Sequence, residues 1–359
     1  MPAATKLCAI SDGYAGAIDH YLSPTRHDAV KMQWEEPATR RLLDDVISHL
    51  AQGGTLRVLD IGCGVGDGLT LLRSAPRSRH RILVPGILHY TGLDLNNELL
   101  DAARWLHQSD NNARFIHGDV RDGIPDGQFD LFLSCGVPYS HLTTAELNPV
   151  LHNLFTAART APRPVAIIVD VLGRYSIEWT THWDDQRWPY RMSFFSSGKP
   201  ATSIDMTCYS GAELRTTMST AAAQVGCPLS GIDCYDRSIM VGRHTTTEEF
   251  TPNLRPYRRL VNDLVNPSVE VDYNDLLFDV SIPDAPPPIT QFFRSFSHSW
   301  NMLVTQVRDL SHTASNRDHV ANVLQPMLAH GLERLEATTQ QGLGVGHSLT
   351  AVAYNRPLA

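Results

Sequence analysis

The chain has 359 residues, is 42% hydrophobic and carries a formal net charge of -8. This is enough for one large α/β domain with an addition, or for two domains. No basic run appears, which argues against nucleic-acid binding, because that depends on clustered Lys and Arg neutralising phosphates. The six cysteines include no C-x-x-C pair and read as small buried hydrophobes of a reducing compartment. No signal peptide and no apolar run of membrane-spanning length is found, so a cytoplasmic protein without a membrane partner is expected.

Residues 1–36 read as short helical pieces separated by turns, Ser11-Asp12-Gly13-Tyr14 and Tyr21-Leu22-Ser23-Pro24 among them. Pro37 suits the first turn of a helix, after which Leu42, Leu43, Val46, Ile47 and Leu50 recur at helical spacing. Val58, Leu59 and Ile61 then form a buried strand that runs into Gly62-Cys63-Gly64-Val65-Gly66. Glycines there let the backbone turn sharply and approach a ligand. A helix starting near Asp67 aims its N–H groups and positive dipole end back at that ligand. A dinucleotide fingerprint would need glycine where Asp67 stands; instead Asp60 leads the turn, as D-x-G-x-G-x-G.

After an insertion over about Ala75 to Leu88, a second strand, Tyr90 to Asp94, ends in an acid, and a helix from about Asn97 to Gln108 follows. The third strand, Ala113 to Val120, ends in Gly-Asp-Val, and the fourth, Phe129 to Ser134, follows a Pro/Gly turn. Four ordered motifs, within roughly residues 40 to 245, resemble those of the class I S-adenosylmethionine-dependent methyltransferases. The resemblance implies a Rossmann-like α/β fold: a seven-stranded sheet with helices on both faces, S-adenosyl-L-methionine as cofactor and S-adenosyl-L-homocysteine as product. Bacterial natural-product methyltransferases of small molecules are similar in overall look.

The resemblance also places the cofactor. Asp60 organises the loop Gly62, Cys63, Gly64 and Gly66 around its amino-acid end. Asp94, with Leu95 beside it, can accept both ribose hydroxyls, since a carboxylate has two acceptor oxygens. Asp119 accepts from the adenine amine, Val120 packs on the ring, and Ser134 and Cys135 face the sulfonium. In this family N-terminal helices commonly cover the cofactor and acceptor. Tyr14, Tyr21 and Trp34 are accordingly read either as acceptor-binding residues of such a lid or as core.

Further along, Cys135 to Leu142 is a loop, a helix runs to about Thr160, and Val165 to Val171 is a fifth buried strand ending in Asp170. Nothing joins Asp170 in a convincing ligand set, so no metal is expected. The loop has Gly136-Val137-Pro138-Tyr139 where amine methylases of nucleic acids and proteins carry a polar acceptor before Pro-Pro-Tyr/Phe. An aromatic segment, residues 175–195, suits a small aromatic acceptor, with Tyr139, Trp179, Trp183 and Arg191 as candidate contacts. A phenol of pKa about 10 needs its proton removed, and His141 and then His182 are the candidate bases. O-methylation of a phenolic, tyrosine-like acceptor leads; N-methylation of a small amine and a non-catalytic cofactor-binding role stay open.

Ser210 caps a helix to about Val225, and one or two strands lie between Ser230 and His244. Residues 249–342 are helix-rich, and Phe292, Phe293, Phe296, Trp300, Leu303, Val304, Val307 and Leu310 form an apolar stripe there, core or homodimer surface. His347 to Tyr354 reads as a strand. The predicted organisation is a lid (1–36), a core (37–248), a helical insertion or appendage (249–342) and a terminal strand (343–359) that either rejoins the sheet as its seventh strand or leaves that place to Ile239–Arg243.

Overall fold

The computed structural model describes residues 17–23, 26–50, 54–73, 88–192, 203–247, 249–314 and 316–356. Tyr14, Phe194, Phe195 and nearly all of the insertion before the second strand lie outside them. Helix α1 (Ala17–Leu22) and α2 (Glu36–Leu50) precede β1 (Leu56–Ile61). Then come α3 (Asp67–Arg73), β2 (Leu88–Asp94), α4 (Asn97–Leu106), β3 (Ala113–His117), β4 (Leu131–Leu133), α5 (Thr144–Thr160) and β5 (Ala166–Gly173). A hairpin, β6 (Arg187–Arg191) and β7 (Ser203–Tyr209), leads to α6 (Gly211–Gln224) and β8 (Gly231–Arg237). The helical block holds α7 (Tyr257–Leu264), α8 (Pro287–Thr313) and α9 (Gln325–Thr339), and β9 (Ser348–Tyr354) ends the described fold.

The sheet runs β3-β2-β1-β4-β5-β9-β8, with β1 to β5 parallel and β9 antiparallel to both neighbours. Every residue of β5 is buried, as a central strand covered on both faces requires. The expected seven-stranded Rossmann-like sheet is present, extended to nine strands by the hairpin. Because β9 occupies one edge of β5, β7 must use the other; it pairs only at Leu172 and Gly173, beyond the end of short β4. The hairpin therefore rises as a wall over the carboxyl ends of the parallel strands. Capping boxes at Thr143–Glu146 and Ser210–Glu213 start α5 and α6 by satisfying amides that would otherwise be orphaned.

After β8 the chain leaves the sheet for the helical block and returns as β9. Helix α8 buries Ile289, Phe292, Phe293, Phe296, Trp300 and Val304, and Phe293 stacks on Trp183 with ring centres 5.8 Å apart. The block thus shares one core with the segment after β5. It is also tied to the N-terminal arm: Arg258 on α7 donates to Asp28 at 2.8 and 2.9 Å and to Glu35 at 2.7 Å.

Candidate active site

A cavity of about 300 Å³ opens at the carboxyl ends of β1 to β4. Open α/β sheets bind ligands in such a crevice because strand ends and helix N-termini converge there. The glycine turn after β1 forms its floor. Gly62 (φ +70°) passes so close to Pro138 that an added Cβ would lie 2.5 Å from the proline Cβ. Gly64 (φ +52°) differs: among the described residues a Cβ there would meet nothing within 4 Å, and the residue lines the cavity. Gly66 serves the turn instead, its amide donating to the Cys63 carbonyl at 2.9 Å, and it is not part of the lining.

Asp60 sits below this turn, buried, with Oδ2 accepting from the Tyr90 hydroxyl at 2.5 Å. Burial pushes its pKa up to about 7; the Tyr90 hydrogen bond opposes this, and Asp67 and Asp94 add to it. Its Oδ1 has no hydrogen-bond partner among the described residues. Asp94 ends β2 and accepts the Gly64 amide at 2.8 Å and the Asn96 amide at 2.9 Å. One carboxylate so couples the glycine turn to the start of α4, while facing the cavity. Burial holds its pKa above the usual range.

Cys63, Leu95, Asp119, Val120 and Cys135 also line the cavity. Asp119 accepts from Arg121 Nε at 2.8 and 3.1 Å, a local pairing that occupies much of its acceptor capacity. Ser134 is not in the lining; its hydroxyl bridges β4 and β5, donating to the Ile168 carbonyl and accepting the Asp170 amide, both at 3.0 Å.

Of the candidate acceptor contacts, Tyr21 and Tyr139 line the cavity. The Arg26 guanidinium lies 4.5 Å over the Tyr21 ring, and the buried Tyr139 hydroxyl has no partner among the described residues. Trp34, Trp179, Trp183 and Arg191 are not brought to it. Trp34 is core, Trp179 donates to the Gly173 carbonyl at 2.9 Å, and Trp183 donates to the Ser176 carbonyl at 2.8 Å. Arg191 pairs with Glu249 at 2.9 Å. His141 lines the cavity, where burial and then Arg187 lower its pKa to about 4. His182 does not; it stacks on Trp188, ring centres 4.4 Å apart.

Several lining residues escaped the sequence reading. The arm contributes Arg26, Lys31 and Glu35, the hairpin Tyr190 and Met206, and the segments around β8 and β9 Arg237, Arg243 and His347. His347 stands directly before the last strand, behind Gly342-Leu343-Gly344-Val345-Gly346. Alternating glycines ahead of a histidine at a strand start were the available signal. They let the loop pass against the Cys234, Tyr209 and Arg237 backbones, where a Cβ would collide.

The sheet order, the crevice and the acid-led glycine turn define a Rossmann-like α/β fold with a ligand-sized cleft at its strand ends. Residues 58–160 match the family described as "Methyltransferase domain". The acid-led glycine motif and the sheet order agree with this match, which makes residues 58–160 similar to a methyltransferase domain. No curated protein matches the chain. Among solved structures it is similar to DhpI in complex with S-adenosylhomocysteine (17% identity, 65% of this chain and 90% of that one, TM-score 0.41). A methyltransferase from Clostridium acetobutylicum is similar at 14% identity over 62% of this chain and 90% of that one (TM-score 0.41). Coclaurine N-methyltransferase bound to N-methylheliamine is similar at 12% identity, over 88% and 70% (TM-score 0.38). Among the described residues no helix is long and apolar enough to cross a membrane.

Proposed function

We propose that the protein transfers the methyl group of S-adenosylmethionine to a hydroxyl of a small aromatic acceptor. The observation carrying this reading is the Asp94 carboxylate, held by the Gly64 and Asn96 amides yet open to the cavity, as a ribose-diol acceptor must be. The rest of the cleft fits the same cofactor. Gly64 leaves space for its amino-acid end, Asp60 Oδ1 is an acceptor waiting for a donor, and Leu95, Val120 and Cys135 line the rest. Asp119 would read the adenine amine with the lone pairs Arg121 leaves. When bound, the cofactor supplies a methyl already activated by its sulfonium.

This chain's residues then have to orient the acceptor and exclude water. Tyr21, Tyr190, Met192 and Met206 line the cavity with surface suited to an aromatic ring. Tyr139 and His141 offer polar contacts in the same cavity. His141 is neutral near pH 7, so its imidazole can accept a hydrogen bond from the acceptor. Complete proton transfer is another matter: from a phenol of pKa about 10 to a base of about 4 it costs ~8 kcal/mol. His141 is therefore read as an orienting acceptor.

The test is incubation with methyl-labelled cofactor and a panel of small phenols. Labelled methyl ether together with S-adenosylhomocysteine is expected. Tight cofactor binding with no label on any phenol would overturn the proposal.

A further inference from the structure

With His141 a weak base, the proton of the hydroxyl needs another acceptor in the same cavity. His347 lines it and is tied from below: its Nδ1 lies 2.6 Å from Glu178 Oε2. Glu178 follows β5, is 0% exposed, and also accepts the His244 amide on Oε1 at 2.5 Å. No Lys or Arg contacts that carboxylate among the described residues. A charge so deep in the fold is tolerated only when paired and hydrogen-bonded. Burial acts to raise the Glu178 pKa, but His347 and His244 outweigh it and hold it below the usual range. Gly242 keeps the place open, because a Cβ there would overlap the carboxylate.

The ionised carboxylate selects the tautomer with the proton on Nδ1 and leaves Nε2 as an acceptor. Nε2 makes no hydrogen bond among the described residues. The backbone of His347 is fixed as well: its amide donates to the Ser238 carbonyl at 3.0 Å, and its carbonyl accepts the Gly173 amide at 3.2 Å. The Trp179 ring packs against the imidazole, centres 5.6 Å apart. Antiparallel insertion of β9 beside β5 is what brings residue 347 to the carboxyl end of the parallel strands.

We infer that His347 is the general base of the methyl transfer and that Glu178 is its positioning residue. The acceptor O–H proton passes to Nε2 as the O–CH3 bond forms; the methyl–sulfur bond breaks and its electron pair stays on sulfur. The imidazolium, steadied by Glu178, later returns the proton to water. This rests on the O-methylation reading above.

The test compares wild type with His347→Asn, whose Nδ2 keeps the hydrogen bond to Glu178 while Nε2 is removed. Phenol and the more acidic 4-nitrophenol are the acceptors. A base acting on a weakly acidic hydroxyl contributes about 10²–10⁴-fold. For phenol, kcat is expected to fall at least about 10²-fold with KM little changed; for 4-nitrophenol it falls less than about tenfold. A readout independent of turnover is binding of 4-nitrophenol to the S-adenosylhomocysteine complex. The visible phenolate band grows with wild type and not with His347→Asn, while S-adenosylhomocysteine affinity is unchanged. Equal losses with both phenols, no loss at all, or a weakened cofactor complex would overturn the assignment. Should His347→Asn not fold, Glu178→Gln is read the same way, with about a tenfold loss confined to phenol. If wild type methylates no phenol of the panel, these two included, O-methylation itself fails and takes this inference with it; if only the His347 comparison fails, O-methylation stands.

Discussion

Replacing Gly64 with alanine puts one methyl group into the space proposed for the amino-acid end of the cofactor. In the protein alone this costs little. Among the described residues the new Cβ would find no heavy atom within 4 Å, so the penalty is a left-handed backbone, φ +52°, at a residue with a side chain. That is worth about 1 kcal/mol, or a melting-temperature drop of roughly 1–2 °C for a chain of 359 residues. With the amino-acid end of the cofactor in place the same methyl group has nowhere to go, and an affinity loss of at least about 10²-fold is expected, near 3 kcal/mol. Gly62→Ala is the control. Its Cβ would lie 2.5 Å from the Pro138 Cβ, so the loop after β4 must move and stability suffers first. The assay is calorimetric titration with S-adenosylhomocysteine beside a thermal melt of each variant. A folded Gly64→Ala protein that binds with wild-type affinity would refute the reasoning.

Three further expectations follow from the same geometry. Asp94→Ala removes the acceptor for the Gly64 and Asn96 amides as well as for a ligand diol, so cofactor affinity should fall about 10²-fold by calorimetry, far more than for His141→Ala. Arg258→Met strands Asp28 and Glu35, which it now holds at 2.7 to 2.9 Å; breaking a buried pair costs about 3–5 kcal/mol, to be read from denaturant melts. Asp60, with a folded pKa of about 7 against 3.8, binds its proton more tightly when folded, so its contribution is present at low pH and is lost as pH rises from about 4 through 7. Asp60→Asn lacks that loss. Its stability relative to wild type should therefore climb across this window by at most about 4 kcal/mol, seen in melts of the cofactor-free protein at successive pH values.

What could be read without a structure is what is local in the chain. Asp60, the glycine turn and Asp94 lie on strands followed at once by turns, so periodicity and glycine spacing reveal them. Ser134 and Asp119 show the limit of that view. Each stands at a strand end facing the crevice by pattern, yet Ser134 spends its hydroxyl joining β4 to β5, and Asp119 is engaged by Arg121 two residues on. Trp179 and Trp183 look like an acceptor wall from their density. They instead fill the core between β5 and the helical block, which composition could not distinguish. His347 and Glu178 are 169 residues apart in sequence. They meet only because β9 returns beside β5, a contact decided by topology rather than by any local pattern.

Uptake of S-adenosylmethionine by the crevice over β1, β2 and β3 is checked by titrating the folded wild-type protein with S-adenosylhomocysteine. Saturable uptake of one molecule per chain, lost in Asp94→Ala, is expected. Absence of binding heat from protein that melts cooperatively, or one-to-one uptake that survives Asp94→Ala and Gly64→Ala unchanged, would contradict it.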